Sequence, residues 1–284
     1  MKKIISVLII VIILFGMFSS AACGKENPDT SFRVMSFNIR IVALEEDTKN
    51  NWENRKDFVY DTVIKYDADL IGFQELKNNQ ALFLQEQLSN YGYYWVDRTG
   101  TVFGEAVGIF YKKSRFEVLS EEVFWLSETP DKVSKGWDAE FPRICVVLKL
   151  KDLISGKIIY HFNTHYDHKG VTAIEKSTAL LLDRIGDKEN VLVTGDFNLR
   201  EGTANYNTLV AGVLNDAKYL APECCSDTGG TSHGFGKRIA EMPIDFIFMT
   251  DIFKVSRYQI VRDQREGYYP SDHFPIYADI DYKG

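Results

Sequence analysis

Acidic, amide and imidazole side chains recur in this sequence where runs of apolar residues begin or end. Asn38 follows FRVMSF, and Glu75 follows DLIGFQ. His165 closes IIYHFNTH, and Asp196 and Asn198 follow VLVT within GDFN. Asp245 opens a run of Phe, Ile and Met, and Asp272 and His273 precede FPIYADI as SDH. Any one of these reads as a turn or cap residue. A set of six positions dominated by Asp, Glu, Asn and His does not, because α/β sheets bind ligands beyond their strand ends. Four carboxylates in one cleft repel one another unless a cation neutralises them. Oxygen-rich donors favour a hard ion, Mg²⁺ or Mn²⁺, over zinc. Such an ion polarises a phosphoryl oxygen, and a histidine beside a carboxylate moves protons near neutral pH. The combination points to attack of water on a phosphate ester. Arg40, Lys77, Lys169 and Arg200 sit close to these positions in sequence and suggest a locally basic rim for an anionic substrate.

The elements that would position these groups alternate between strand and helix patterns. Strands are expected at 32–37, 69–73, 106–111, 121–126, 143–150, 157–164, 191–194, 244–249, 253–261 and 274–280. Apolar spacing predicts helices over 52–66, 80–91 and 172–185, with a short one at 203–213. Composition does not break between residues 32 and 284, so these elements read as one domain. Two strand–helix–strand halves with extra strands suggest mixed sheets covered by helices.

Of 284 residues, 33 are Lys or Arg and 40 are Asp or Glu, a formal charge of −7. Residues 1–22 read as an export leader: Lys2 and Lys3, an apolar run, then Ser19 to Ala22. Its apolar run is short for a membrane span. Removing it takes two lysines and no acid from the total, leaving −9. That argues against a general nucleic-acid coat protein but leaves room for an enzyme with a basic cleft. Ala21-Ala22-Cys23 resembles a bacterial lipoprotein signal, which makes Cys23 the expected lipidation site. Residues 23–31 would be a polar tether. The expected location is the bacterial cell envelope, lipid-anchored at the membrane or cell surface, with plain secretion as the alternative. Cys145 reads as core, and the neighbours Cys224 and Cys225 could bridge each other only with strain.

SFNIR, GFQEL, FNTHYDH, TGDFN, PIDFIF and PSDHFPI, in this order, resemble the endonuclease/exonuclease/phosphatase family, of the deoxyribonuclease I type. GEAVGIFYKKSRF and KGWDAEFPRIC are similar to a bacterial branch near its deadenylase-like members. The resemblance runs from about residue 32 to 280. It implies a four-layer α/β/β/α sandwich, two packed mixed sheets flanked by helices. It also implies Glu75 as the main metal ligand, with Asn38 and Asp272 completing or supporting a Mg²⁺ (or Mn²⁺) site. Asp196 would orient or deprotonate water, and Asn198 would hold the phosphate. His273, paired with Asp245, would act in proton transfer, and His165 would contact phosphate or assist the leaving group. Glu105 would orient His165, and Arg98 and Arg143 would bind substrate.

NTHYDH differs from the HxHxDH zinc motif by Asn163 in place of the first histidine, so a zinc hydrolase is an outside alternative. Asp167 reads as loop-shaping, His161 as structural and His233 as a plain loop residue. The expectation is an exported metal-dependent phosphoesterase, a nuclease-like phosphodiesterase first, acting on phosphate esters with single-stranded nucleic acid among them. Phospholipid headgroups, inositol phosphates and other small phosphate esters are the alternative substrates. A non-catalytic surface-binding lipoprotein is the alternative class. The membrane is a partner through the lipid anchor, and no protein partner is implied.

Overall fold

A computed structural model describes residues 30–42 and 48–283. The expected leader, Cys23 and most of the expected tether lie outside the described residues. The elements in chain order begin β1 (Phe32–Asn38), α1 (Trp52–Tyr66), β2 (Leu70–Leu76), α2 (Asn78–Gln87), β3 (Tyr91–Asp97) and β4 (Ala106–Lys112). They continue with β5 (Phe116–Trp125), β6 (Ile144–Asp152), β7 (Ile158–His165), α3 (Val171–Ile185) and β8 (Val191–Asp196). The chain closes with α4 (Ala204–Val210), β9 (Asn215–Asp216), α5 (Ala217–Leu220), β10 (Asp245–Met249), β11 (Phe253–Ile260) and β12 (Ile276–Tyr282).

Two six-stranded sheets result, in the orders β11-β12-β1-β2-β4-β3 and β5-β6-β7-β8-β10-β9. Each is antiparallel except for one central parallel pair, β1/β2 or β7/β8. Parallel neighbours need a crossover, and α1 and α3 supply it. Side chains alternate across each strand, so every central strand feeds two apolar layers. Val34, Leu70, Ile109, Val146, Leu192 and Ile247 fill the layer between the sheets. Met35, Phe37, Ile71 and Phe73 face α1 and α2, meeting Val59, Val63 and Leu84. On the far side Cys145, Phe162, Val193, Phe246 and Phe248 meet Leu181 and Ile185 of α3 and Leu209 of α4. The architecture is therefore the four-layer sandwich, helices outside two mixed sheets.

Two expectations need correction. The helix predicted over 80–91 ends at Gln87, and Tyr91 opens β3 instead. The tyrosines and tryptophan of β3 pair along β4 at the edge of the first sheet, with Tyr93 exposed. The short helix expected at 203–213 stops at Val210. Among the described residues, no helix is long and apolar enough to cross a membrane.

Candidate active site

The same alternation explains why the polar residues converge. Asn38, His165, Asp196 and Asp245 share the parity of residues that line the inter-sheet layer, but lie one step beyond its apolar part. Glu75 would have the opposite parity. A register shift between Phe73 and Leu76 in the β2/β4 ladder inserts an extra residue, and Glu75 takes a left-handed backbone, φ 61°. This bulge lets Gln74 and Glu75 both turn inward while Leu76 rejoins the helix-facing layer. Arg40 and Asn198 are also left-handed, at φ 57° and 49°. Strained non-glycine residues of this kind cluster where function fixes the backbone.

Asp196 is the point of convergence. The Asn38 amide donates to Asp196 Oδ2 at 2.9 Å and to Glu75 Oε1 at 3.0 Å, tying the two sheets together. Asp196 Oδ2 lies 3.6 Å from His165 Nε2 and 3.9 Å from His273 Nδ1. The Asn198 backbone N–H donates to Asp196 Oδ1. Glu75 Oε2 accepts from Ile41 N–H at 2.8 Å. The Arg40 guanidinium stands between Glu75 and Asp272, at 3.9 and 3.6 Å. Donor atoms of Glu75, His165 and Asp196 fall within 4.8 Å of one another, as do those of Asp196, Asp245 and His273. Two carboxylates beside one imidazole offer donors for a divalent cation. Asn38 turns its amide nitrogen toward the carboxylates, while its oxygen accepts from Arg40 N–H. As built, it braces the acids.

The two histidines are held differently. His273 Nδ1 lies 2.8 Å from Asp245 Oδ2, so Nδ1 carries a proton. Burial opposes the charged imidazolium, but Asp245, Asp196 and Asp272 outweigh it and raise the His273 pKa well above its ordinary value. Burial, with the Glu75 charge, raises the Asp272 carboxyl, against the opposing charges of His273, Arg40 and Arg55. His165 Nδ1 faces Glu105 Oε1 at 3.0 Å, and its Nε2 meets the Asn198 amide nitrogen at 3.1 Å. Burial alone would raise Glu105. The hydrogen bond from His165 and the charges of His165, Arg143 and Arg98 overcome it and hold the carboxyl at about 2. Glu105 is thus an ionised acceptor that fixes the His165 tautomer. Arg98, half-buried, and Arg143, buried, direct their guanidinium groups at Glu105, at 3.1 and 3.4 Å.

Several supports had no signal in the sequence. Arg55 of α1 donates to the carbonyls of Ile39, Arg40 and Pro270, joining the segment after β1 to the turn that carries Asp272. The Ser271 hydroxyl donates to Asn38 O at 2.7 Å. Thr231 Oγ1 accepts from Asp245 N–H. Their partners lie up to 233 residues away in sequence. His233, read as a plain loop residue, is fully buried, stacks on Phe274 at 3.9 Å, and donates its N–H to Asp272 O. Among the described residues, Asp167 and His168 of NTHYDH join neither cluster of candidate metal ligands. The Asn163 amide is hydrogen-bonded across the sheets, Asp167 accepts four backbone N–H groups, and His168 lies against Arg143 and Glu140. Cys145 is buried, and the Cys224 and Cys225 sulfurs lie 3.5 Å apart in an exposed turn.

The fold has counterparts among solved structures. A protein of this superfamily from Bacteroides vulgatus is 35% identical, with a TM-score of 0.83 over 89% of this chain and 100% of that one. The mannosyl-6-phosphatase Bt3783 of Bacteroides thetaiotaomicron is 33% identical, with a TM-score of 0.80 over 88% of this chain and 100% of that one. Among curated proteins, the 3'-5'-exoribonuclease subunit Ccr4 of Aspergillus niger is 25% identical over 224 residues, 59% of this chain and 33% of that subunit. A sequence profile matches residues 35–273, which include every residue of the cleft described above. The chain belongs to the Endonuclease/Exonuclease/phosphatase family.

Proposed function

We propose that this protein hydrolyses phosphate esters with the help of a divalent cation, Mg²⁺ or Mn²⁺, held by Glu75 and Asp196 with His165 alongside. The observation that carries this reading is the convergence on Asp196 Oδ2 of groups from both sheets: Asn38, His165 and His273. When bound, the cation would polarise the phosphoryl group and offset its charge. Asp196 orients water and accepts its proton, positioned by Asn38 and by the Asn198 backbone. Asn198 and His165 contact the phosphate. His273, kept protonated by Asp245, donates a hydrogen bond where charge develops on oxygen. Arg98 and Arg143 act through Glu105, and Asp272 holds Arg40 beside the cleft.

For the substrate, a small phosphate ester such as a sugar phosphate is favoured over a polynucleotide. The relative that is 33% identical along nearly its whole length is a mannosyl-6-phosphatase, and this chain is acidic. The Ccr4 likeness supports single-stranded RNA as the second reading. A panel of mannose 6-phosphate, a generic phosphodiester and single-stranded RNA and DNA, with Mg²⁺, with Mn²⁺ and with chelator, tests both. Turnover is expected only with metal, and Asp196→Asn should lower kcat by at least about 10²-fold. Activity that survives chelator, or is unchanged in Asp196→Asn, defeats the proposal. The leader and Cys23 support export and lipid anchoring at the envelope. Cys23→Ala should leave the membrane fraction, and retention there would count against the anchor.

A further inference from the structure

Directly beneath the cleft, the layer between the sheets turns from apolar to polar. Ser36, Gln74, His161, Asn163 and Thr194 are all buried there. Three of them stand two residues before a cleft residue on the same face of a strand: Ser36 before Asn38, Asn163 before His165, and Thr194 before Asp196. Gln74 directly precedes Glu75 on the bulge. Asn163 is the hub. Its amide donates at 2.8 Å to both Phe73 O and Gly108 O. Its oxygen accepts from Gln74 Nε2 at 2.7 Å and Thr194 Oγ1 at 3.0 Å. Thr194 Oγ1 also lies 2.9 Å from His161 Nε2.

Phe73 and Gly108 are the last paired residues of the β2/β4 ladder before the register shift that turns Glu75 inward. A strand of the second sheet therefore hydrogen-bonds the bulge of the first at its root. An asparagine satisfies two carbonyls and two donors at once, and no apolar residue of its size can. A buried carbonyl left without a donor is costly, so the bulge and the amide depend on each other.

We propose that Asn163 is the positioning residue for Glu75: it holds the bulge across the sheets, so that the acid of the first sheet meets Asp196 and His165 of the second. The proposal rests on the metal-dependent reading above. It predicts a loss of metal affinity in variants that remain folded, which packing damage elsewhere does not cause. Mn²⁺ binding to purified Asn163→Asp and Thr194→Val is measured by calorimetry, beside Leu181→Ala in the α3 layer as a packing control, with Tm recorded for each. Partners of metal ligands typically govern affinity by about 10–100-fold. A loss in that range is expected for Asn163→Asp and a smaller one for Thr194→Val, with Leu181→Ala keeping wild-type affinity despite a lower Tm. If Asn163→Asp does not fold, Thr194→Val decides, since at nearly constant volume it removes the hydroxyl that bonds Asn163 and His161 and leaves the Asn163 amide on the bulge. Wild-type Mn²⁺ affinity in the seam variants overturns the proposal and leaves the metal site standing. Absence of Mn²⁺ binding by the wild-type protein overturns both.

Discussion

Asp245 Oδ2 faces His273 Nδ1, while its other carboxylate oxygen, Oδ1, has no hydrogen-bond partner among the described residues. Burial works against a charged His273 ring, but Asp245 with Asp196 and Asp272 outweighs it and raises the His273 pKa well above its ordinary value. Asp245→Asn keeps the shape and removes the charge. The expected outcome is a His273 ring that titrates at lower pH by NMR, together with a kcat loss of about 10²-fold. An unchanged His273 titration would show that Asp245 does not control it. At this scale the sequence was informative where chemistry is contiguous, as in GDFN and SDH. It was silent on Arg55 and Thr231, and on the bond that Ser271 of SDH makes to Asn38, because a hydrogen bond between residues far apart in the chain leaves no local pattern. Arg98 and Arg143 illustrate the middle case. Their proximity to the cleft was legible, but only the folded arrangement shows both guanidinium groups aimed at Glu105.

At the scale of elements, a close constraint within the site is Gly72, midway along β2. A Cβ there would sit 2.1 Å from Thr194 Oγ1 and 2.5 Å from the Asn163 amide oxygen. Neither partner can retreat without breaking the seam. Gly72→Ala should destabilise the fold by about 1–3 kcal/mol, the range for overpacking a dense interior. Chemical denaturation checks this, and a variant as stable as wild type would mean the sheets can part locally. The sequence marked this glycine only as one small residue in an apolar strand. Strands with β-branched runs, such as β8, were readable from composition. β3 was not: its first residue, Tyr91, continued the helical spacing of Leu84 and Leu88, and the pairing with β4 that makes it a strand is tertiary. The bulge at Glu75 was equally invisible, since inserting one residue into a ladder changes pairing and not residue type.

For the whole molecule, buried histidines tell against stability in acid. Burial pushes His161 down to about 3. Burial and the His273 charge push His233 down to about 4. Both are neutral in the fold, whereas in the unfolded chain they protonate near 6.5. As pH falls below about 6.5 the unfolded state binds the extra protons, and each histidine costs about 1.4 kcal/mol of stability per pH unit until its folded value is reached. Asp216 works in the opposite sense. Burial raises its carboxyl to about 6, so the fold takes up its proton first and gains stability on the way down to about 4. Asp272, also raised, acts in the same sense as Asp216, so the His161 share is read as a difference: between pH 6.5 and 4 the urea midpoint should fall less, or rise more, in His161→Gln than in wild type. An identical slope in that variant would mean that His161 is protonated in the fold.

β1 lies hydrogen-bonded between β2 and β12, and Asp272 and His273 stand just ahead of β12. The first and last strands of the chain are thus neighbours, and the reaction centre takes groups from both ends. A ribosome must release nearly the whole polypeptide before any catalyst can exist. If the protein is exported, as proposed, that ordering means a nascent chain stays harmless to the phosphate esters of the cell that makes it, and activity begins only where the finished molecule folds.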